Sequence, residues 1–190
     1  MYRGRCETLS DEELMQALSA DHAAALDELF ARHWSGLVEY AHSFMHCRDT
    51  ADDIAQETFV RLWRTRGSWQ PRGTVEGWLF RTARNLALEQ LRMWRVQLRA
   101  APEVENRACT APTPLEETIR SEVRLAFRDA LNSLPPRRKE AFSLSRVLRL
   151  SLEDCGDIMG TSPQTVANHS CMAVTELRRL LDVHSPCGTH

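Results

Sequence analysis

The chain has 190 residues, 43% of them apolar, with 24 basic and 26 acidic side chains and a net charge of −2. That composition supplies real cores for one domain or two small ones and excludes disorder throughout. No run of about 18 apolar residues exists to cross a bilayer, and the N-terminus lacks the apolar centre of a signal peptide, so a cytoplasmic protein without membrane insertion is expected.

In chain order, Ser10 followed by Glu13 predicts a capping-box start for a short helix. Asp21 is expected to cap a longer one, on which Leu26, Leu29, Phe30, Leu37, Val38, Ala41 and Met45 recur at helical spacing. Asp49 is expected to cap a third, with Ala51, Ile54, Ala55, Thr58 and Leu62 facing inward. A fourth helix is predicted from near Thr74 to about Arg99. Charge changes sign along this half. Residues 1–60 hold four basic and twelve acidic side chains, a balance of −8, whereas residues 61–99 hold nine arginines against Glu76 and Glu89, a balance of +7. The second segment favours phosphate and the first repels it.

On the third helix Asp52 and Gln56 lie one turn apart, as do Asp53 and Glu57, so three carboxylates and an amide share one exposed side. Pairing within the helix makes a solvated face the plainer reading, and a protein partner the sharper one. On the fourth helix Arg81, Arg84, Arg92, Arg95 and Arg99 fall on one stripe, opposite Val75, Leu79, Ala83 and Leu86. Asn85 and Glu89 lie a turn apart beside those arginines. Arginines can hold phosphates while the amide and carboxylate read base edges. The preceding loop carries Trp69 between Arg66 and Arg72, where exposure is expected. An exposed ring can stack on an unpaired base for about 1–3 kcal/mol. Trp63, Trp78 and Phe80 are expected to be core anchors.

From Ala100 to Pro114 the helical pattern gives way to Pro, Ala, Thr and Glu, which predicts a flexible linker over residues 99–116. The fold class is therefore all-α, with two small helical domains at 1–98 and 117–185. A helix is expected from Leu115 to Leu131, and Pro135-Pro136 starts another. Ser151 caps a short helix ending at Met159, Gly160 stops it, and Ser162-Pro163 opens the next, a helix-turn-helix pattern. On its second helix Val166, Ser170, Ala173, Leu177 and Leu181 point inward, leaving Gln164, Thr165, Asn168 and His169 at base-reading positions.

Six cysteines without a C-x-x-C pair fit reduced thiols. His42, His46 and Cys47 are within reach of one metal ion, but with no fourth ligand an ordinary helix surface is expected and no metal is assigned. The chain has no glycine-rich phosphate loop, no H-E-x-x-H and no G-x-S-x-G, so neither a catalytic residue nor a cofactor is assigned and the protein is not expected to be an enzyme.

The run from Asp52 to Phe59, with Trp78-Leu79-Phe80-Arg81 and Ala83-Arg84-Asn85-Leu86-Ala87-Leu88, resembles region 2 of bacterial sigma factors, the promoter-specificity subunits of RNA polymerase. The helix-turn-helix behind it resembles region 4 of the same family, and the short linker leaves room only for the compact extracytoplasmic-function (group 4) members. The resemblance implies docking on core RNA polymerase through Asp52, Asp53, Gln56 and Glu57. It implies minus-ten melting and capture of a flipped non-template base by Trp69, Arg81, Arg84, Asn85, Glu89 and Arg92. It assigns minus-thirty-five recognition in duplex DNA to Gln164, Thr165, Asn168 and His169, and an anti-sigma factor as regulator. Relatives often carry aspartate where Glu89 stands, and lysine or arginine just after the position of Val166, where this chain has Ala167, Asn168 and His169, so the phosphate grip is expected from Arg137, Arg138, Lys139, Arg178 and Arg179 instead. Two other classes stay open at this point: a duplex-binding regulator that works without polymerase, and a metal- or thiol-sensing protein.

Overall fold

A computed structural model describes residues 8–45, 47–70, 73–100 and 120–184, without the side chains of 98–100, 120–124 and 182–184. Residues 99 and 100, expected in the linker, are the last of a helix instead; the rest of the expected linker, His46, Arg72 and the start of the helix predicted from Leu115 lie outside the described residues, as does the side chain of Arg99. Every regular element among the described residues is helical, and the chain divides into two compact units.

The first unit contains α1 (Asp11–Ser19), α2 (Ala24–Met45), α3 (Arg48–Thr65), a 3-10 turn (Arg66–Ser68) and α4 (Val75–Ala100). The capping box forms as predicted: the Glu13 N–H donates to Ser10 Oγ at 3.2 Å, and the Ser10 N–H to the Glu13 carboxylate at 2.7 Å. Asp21 does not cap α2. It adopts a left-handed φ of 62°, its N–H bonds to Leu18 O, and its carboxylate reaches Arg66 instead. The third helix begins at Arg48, one residue before the expected cap, and puts Asp49 in its first turn, where negative charge meets the positive end of the helix. Cys47 at the cap position is disulfide-bonded, contrary to the expected reduced thiol. Thr74 Oγ1 accepts from the Gly77 N–H at 3.0 Å and starts α4.

Leu14, Met15, Leu18, Leu29, Leu37, Leu62, Leu79 and Phe80 fill this core. Phe30 was expected among them but is 40% exposed. It stacks on Trp34 at 4.5 Å between ring centroids and leans on Phe59 at 5.0 Å, at the edge of the stripe rather than its centre.

The second unit holds α5 (Arg120–Ser133), α6 (Pro136–Phe142), a π-helical turn (Ser143–Val147), α7 (Leu152–Met159) and α8 (Pro163–His184). Each predicted boundary of the helix-turn-helix is met. Ser151 Oγ accepts from the Asp154 N–H, Gly160 takes the left-handed conformation (φ 64°, ψ 46°), and Ser162 Oγ accepts from the Thr165 N–H. Gly156 is tighter still, since a Cβ there would lie 2.8 Å from Thr161 O and 3.3 Å from Pro163 N. Both neighbours are backbone and cannot rotate away. Gly156→Ala is therefore expected to force the turn apart and cost about 1–3 kcal/mol, read as a lower thermal midpoint by circular dichroism. An unchanged midpoint contradicts that close approach.

Candidate polymerase and nucleic-acid interfaces

Ala51, Ile54, Ala55, Thr58 and Leu62 are buried as predicted, which turns Asp52, Asp53, Gln56 and Glu57 toward the outside of α3. Two of these carboxylates are shared within the helix: Arg48 Nε lies 3.4 Å from Asp52, and Arg61 Nε donates to Glu57 at 3.0 Å. Such pairs one turn apart are worth about 0.3–0.5 kcal/mol, so a partner can displace them cheaply. Asp53 and Gln56 are exposed between them.

Arg66 anchors the loop between α3 and α4. Its Nε and Nη2 donate to Asp21 Oδ1 at 3.0 and 2.7 Å, its Nη1 to Trp63 O at 2.8 Å, and its guanidinium lies 3.9 Å from the centre of the Trp63 ring. Ser19 Oγ donates to Arg66 O at 2.7 Å, tying the end of α1 to the same point. Trp69 is half-buried rather than exposed, because it meets the Trp78 ring edge-on at 5.7 Å. Phe80 is buried as an anchor, while Trp63 and Trp78 are only half-buried.

Along α4, Arg81, Asn85, Glu89 and Arg92 recur at helical spacing as one row. Asn85, Glu89, Arg92 and Arg95 are exposed, and Arg81 and Arg84 are half-buried. The structure thus brings the predicted strand-contacting residues together on one helix and its preceding loop.

A network missing from the sequence expectations braces the same unit. His33 is buried, its Nε2 2.6 Å from Asp11 Oδ2 and its Nδ1 4.0 Å from Glu76 in the first turn of α4. Arg32 Nη1 donates to Asp11 Oδ1 at 2.9 Å and to Leu9 O at 2.8 Å, and its Nε to Glu28 at 2.9 Å. The hydrogen bond to His33, helped by Arg32 and opposed by burial, holds the Asp11 carboxyl below its usual 3.8. A carboxylate whose pKa falls on folding contributes stability above the unfolded value and loses it as pH drops through the folded one. Asp11→Asn is therefore expected to cost about 1–2 kcal/mol at pH 7, with the difference from native vanishing as pH falls below the usual carboxylate value. Urea unfolding at pH 7 and at pH 3 checks the sign; a deficit that grows in acid contradicts it.

On α8, Gln164 and Asn168 are exposed and joined by a 3.2 Å hydrogen bond from Gln164 Nε2 to Asn168 Oδ1. Thr165 Oγ1 is 2.8 Å from Ser162 Oγ in the cap. His169 is half-buried, and its Nδ1 is enclosed with no hydrogen-bond partner among the described residues. Val166, Ser170, Ala173 and Leu177 are buried on the opposite side as predicted.

Most of the residues of the expected phosphate grip are engaged within their own unit. Arg137 Nη1 donates to Met159 O at 3.0 Å, and Arg138 and Arg179 lie 3.9 and 2.9 Å from Glu176. Lys139 is buried, donates to Asn132 Oδ1 at 2.8 Å, and has its pKa pushed down by desolvation. It is a structural lysine, whereas Arg137, Arg178 and Arg179 are exposed.

The chain thus combines an acidic helix followed by an arginine-bearing one in the first unit with a helix-turn-helix in the second. Residues 29–95 match Sigma-70 region 2, and residues 124–177 match Sigma-70 region 4. The ECF RNA polymerase sigma factor SigE of Mycolicibacterium smegmatis is 35% identical over 172 residues, covering 88% of this chain and 66% of SigE. CarQ, an RNA polymerase sigma factor of Myxococcus xanthus, is 31% identical over 159 residues, covering 83% of this chain and 89% of CarQ. The fold is similar to that of CnrH solved in complex with the cytosolic domain of CnrY (TM-score 0.66, 24% identity, 92% of this chain and 99% of CnrH). It is also similar to the sigma factor RpoE in complex with the anti-sigma factor NepR from Bartonella quintana (TM-score 0.68, 24% identity, 83% and 96%). The chain belongs to the extracytoplasmic-function group of the sigma-70 family. That family consists of transcription initiation factors, not catalysts in themselves. No helix among the described residues is long and apolar enough to cross a membrane.

Proposed function

We propose that this chain is an alternative sigma factor that recruits core RNA polymerase to a narrow set of promoters and promotes minus-ten melting by binding strand-separated bases. The observation that carries this reading is the reversal of charge between the exposed face of α3 and that of α4 within one unit. A carboxylate face suits a basic protein surface, and exposed arginines suit phosphates.

In this reading residues 1–98 dock on polymerase and hold the minus-ten strand, 99–116 form the linker, and 117–185 bind the minus-thirty-five duplex. Core docking falls to Asp52, Asp53, Gln56 and Glu57, and strand capture to Trp69, Arg81, Arg84, Asn85, Glu89 and Arg92. Duplex readout is led by Gln164 and Asn168, with Thr165 and His169 flanking them. The protein works in the cytoplasm, where its polymerase is. The solved complexes of CnrH with CnrY and of RpoE with NepR support an anti-sigma factor as its regulator. Within the first unit Phe30, Met93 and Val96 are 40%, 48% and 65% exposed and offer apolar contacts to such a partner.

Run-off transcription with purified core polymerase over a genomic promoter library tests the proposal. Expected are discrete transcripts that depend on this chain and share one promoter sequence. Specific duplex binding without polymerase, combined with no added transcripts, favours an ordinary regulator and overturns the reading.

A further inference from the structure

In the second unit Arg149 is held in the left-handed region of backbone space, with a φ of 58°. That conformation disfavours any residue with a Cβ, and glycine is its usual occupant. The chain on either side fixes it. The Leu148 N–H donates to Ser143 O at 3.0 Å across the π-helical turn, and the Leu150 N–H donates to Leu144 O at 3.1 Å, with the Leu150 side chain buried. Ser145 Oγ lies 2.9 Å from Ser170 Oγ, which ties the same turn to α8. Arg146 and Arg149 are both exposed on this braced segment.

Strained backbone persists where its surroundings over-determine it, and such positions gather at ligand clamps. Glycine would relieve the strain here, so what arginine adds is a fixed positive charge with five donors. Unlike Arg137, Arg138 and Arg179, neither Arg146 nor Arg149 is engaged with a partner among the described residues. Arg149 also stands two residues before Ser151, the cap of α7, which is the first helix of the helix-turn-helix. In that motif the first helix crosses the DNA backbone while the second enters the major groove, so a guanidinium at the entry to α7 is placed for phosphate rather than for base edges. Glu153 is exposed in the first turn of α7, and Asp154 is held by the Ser151 hydroxyl at 2.8 Å, so the two arginines supply the positive charge of this edge.

We infer that Arg149, with Arg146 beside it, holds a backbone phosphate of the minus-thirty-five duplex and so fixes the register of α8 on the DNA. Arg149 is a positioning residue: it keeps Gln164 and Asn168 opposite the base edges and reads no sequence itself. The contact between Ser145 and Ser170 links the held turn directly to α8. Neither Arg146 nor Arg149 belongs to the basic set expected to grip phosphate. The inference rests on the sigma-factor reading above and deepens it.

The test measures binding of holoenzyme, assembled from the full chain and core polymerase, to promoter duplex over a range of salt. Arg149→Gly removes the guanidinium and leaves a residue that adopts this φ freely, so the thermal midpoint is not expected to fall. Arg149→Asn, which also tolerates the left-handed region, gives the same readout should glycine loosen the turn. Both variants are expected to bind about tenfold more weakly, with the slope of log affinity against log salt reduced by about 0.9, the value for one phosphate of B-DNA. Arg149→Lys is expected to restore most of that slope, because an ammonium also neutralises a phosphate. The loss should be uniform across altered minus-thirty-five bases, whereas Asn168→Ala should change which bases are preferred. A native slope in both the glycine and the asparagine variant overturns the inference and leaves the sigma reading standing, as does a loss confined to capture of core polymerase. A native holoenzyme that binds no promoter duplex overturns both.

Discussion

Replacing both Asp53 and Glu57 with lysine is expected to abolish capture of core RNA polymerase while leaving the fold intact. Both side chains point away from the buried stripe of Ala51, Ile54, Ala55, Thr58 and Leu62, so no core contact changes. The internal cost is confined to the surface. Glu57 loses its 3.0 Å pair with Arg61, and a lysine in its place repels that arginine, each effect about 0.2–0.5 kcal/mol. At the interface the account is different. Truncating one partner of a desolvated charge pair costs about 2–5 kcal/mol, and reversal adds repulsion, so two reversals lower affinity by at least about a hundredfold. A pull-down with purified core polymerase reads the loss, and thermal melting reads the preserved fold. Unchanged capture removes α3 from the polymerase interface.

The second large effect concerns the arginines of α4. With Arg84, Arg92 and Arg95 changed to glutamine, holoenzyme is expected to bind melted promoter DNA more weakly and with a shallower salt dependence. Each phosphate contact to a single strand contributes about 0.7 to the slope of log affinity against log salt, so losing three lowers the slope by about 2. Arg92 and Arg95 are exposed, so their removal leaves the core of the unit unchanged. Titration of bubble template between low and physiological salt gives the slope directly. A uniform loss of affinity with an unchanged slope would show that these arginines do not meet phosphate.

Most helix boundaries were legible because their causes are local. Ser10 with Glu13, Ser151, Gly160 and Ser162 each act within three or four residues of chain, so spacing alone identifies them. The features that escaped depend on partners distant in sequence. Asp21 has the chemistry of a helix cap, yet Arg66, forty-five residues away, takes its carboxylate. The polar loop around Trp69 predicts exposure, but Trp78 supplies a second ring. Lys139 lies in a basic run that reads as surface, while its stem is buried and its ammonium finds Asn132. The Asp11, Arg32 and His33 cluster joins residues on different helices and leaves no periodic trace.

The candidate site follows the same division. Helical spacing put Asp52, Asp53, Gln56 and Glu57 on one face of α3, and the arginines of α4 on one stripe with Asn85 and Glu89 beside them, and in the structure Asn85, Glu89, Arg92 and Arg95 are exposed on that helix.

Permanganate reactivity of unpaired thymines at a cognate promoter, measured with core polymerase and either the native chain or the chain with its α4 arginines neutralised, weighs the whole account. Native protein is predicted to expose thymines around the minus-ten element, and the neutralised chain to bind polymerase equally well while leaving that DNA closed. Full reactivity with the neutralised chain would contradict it.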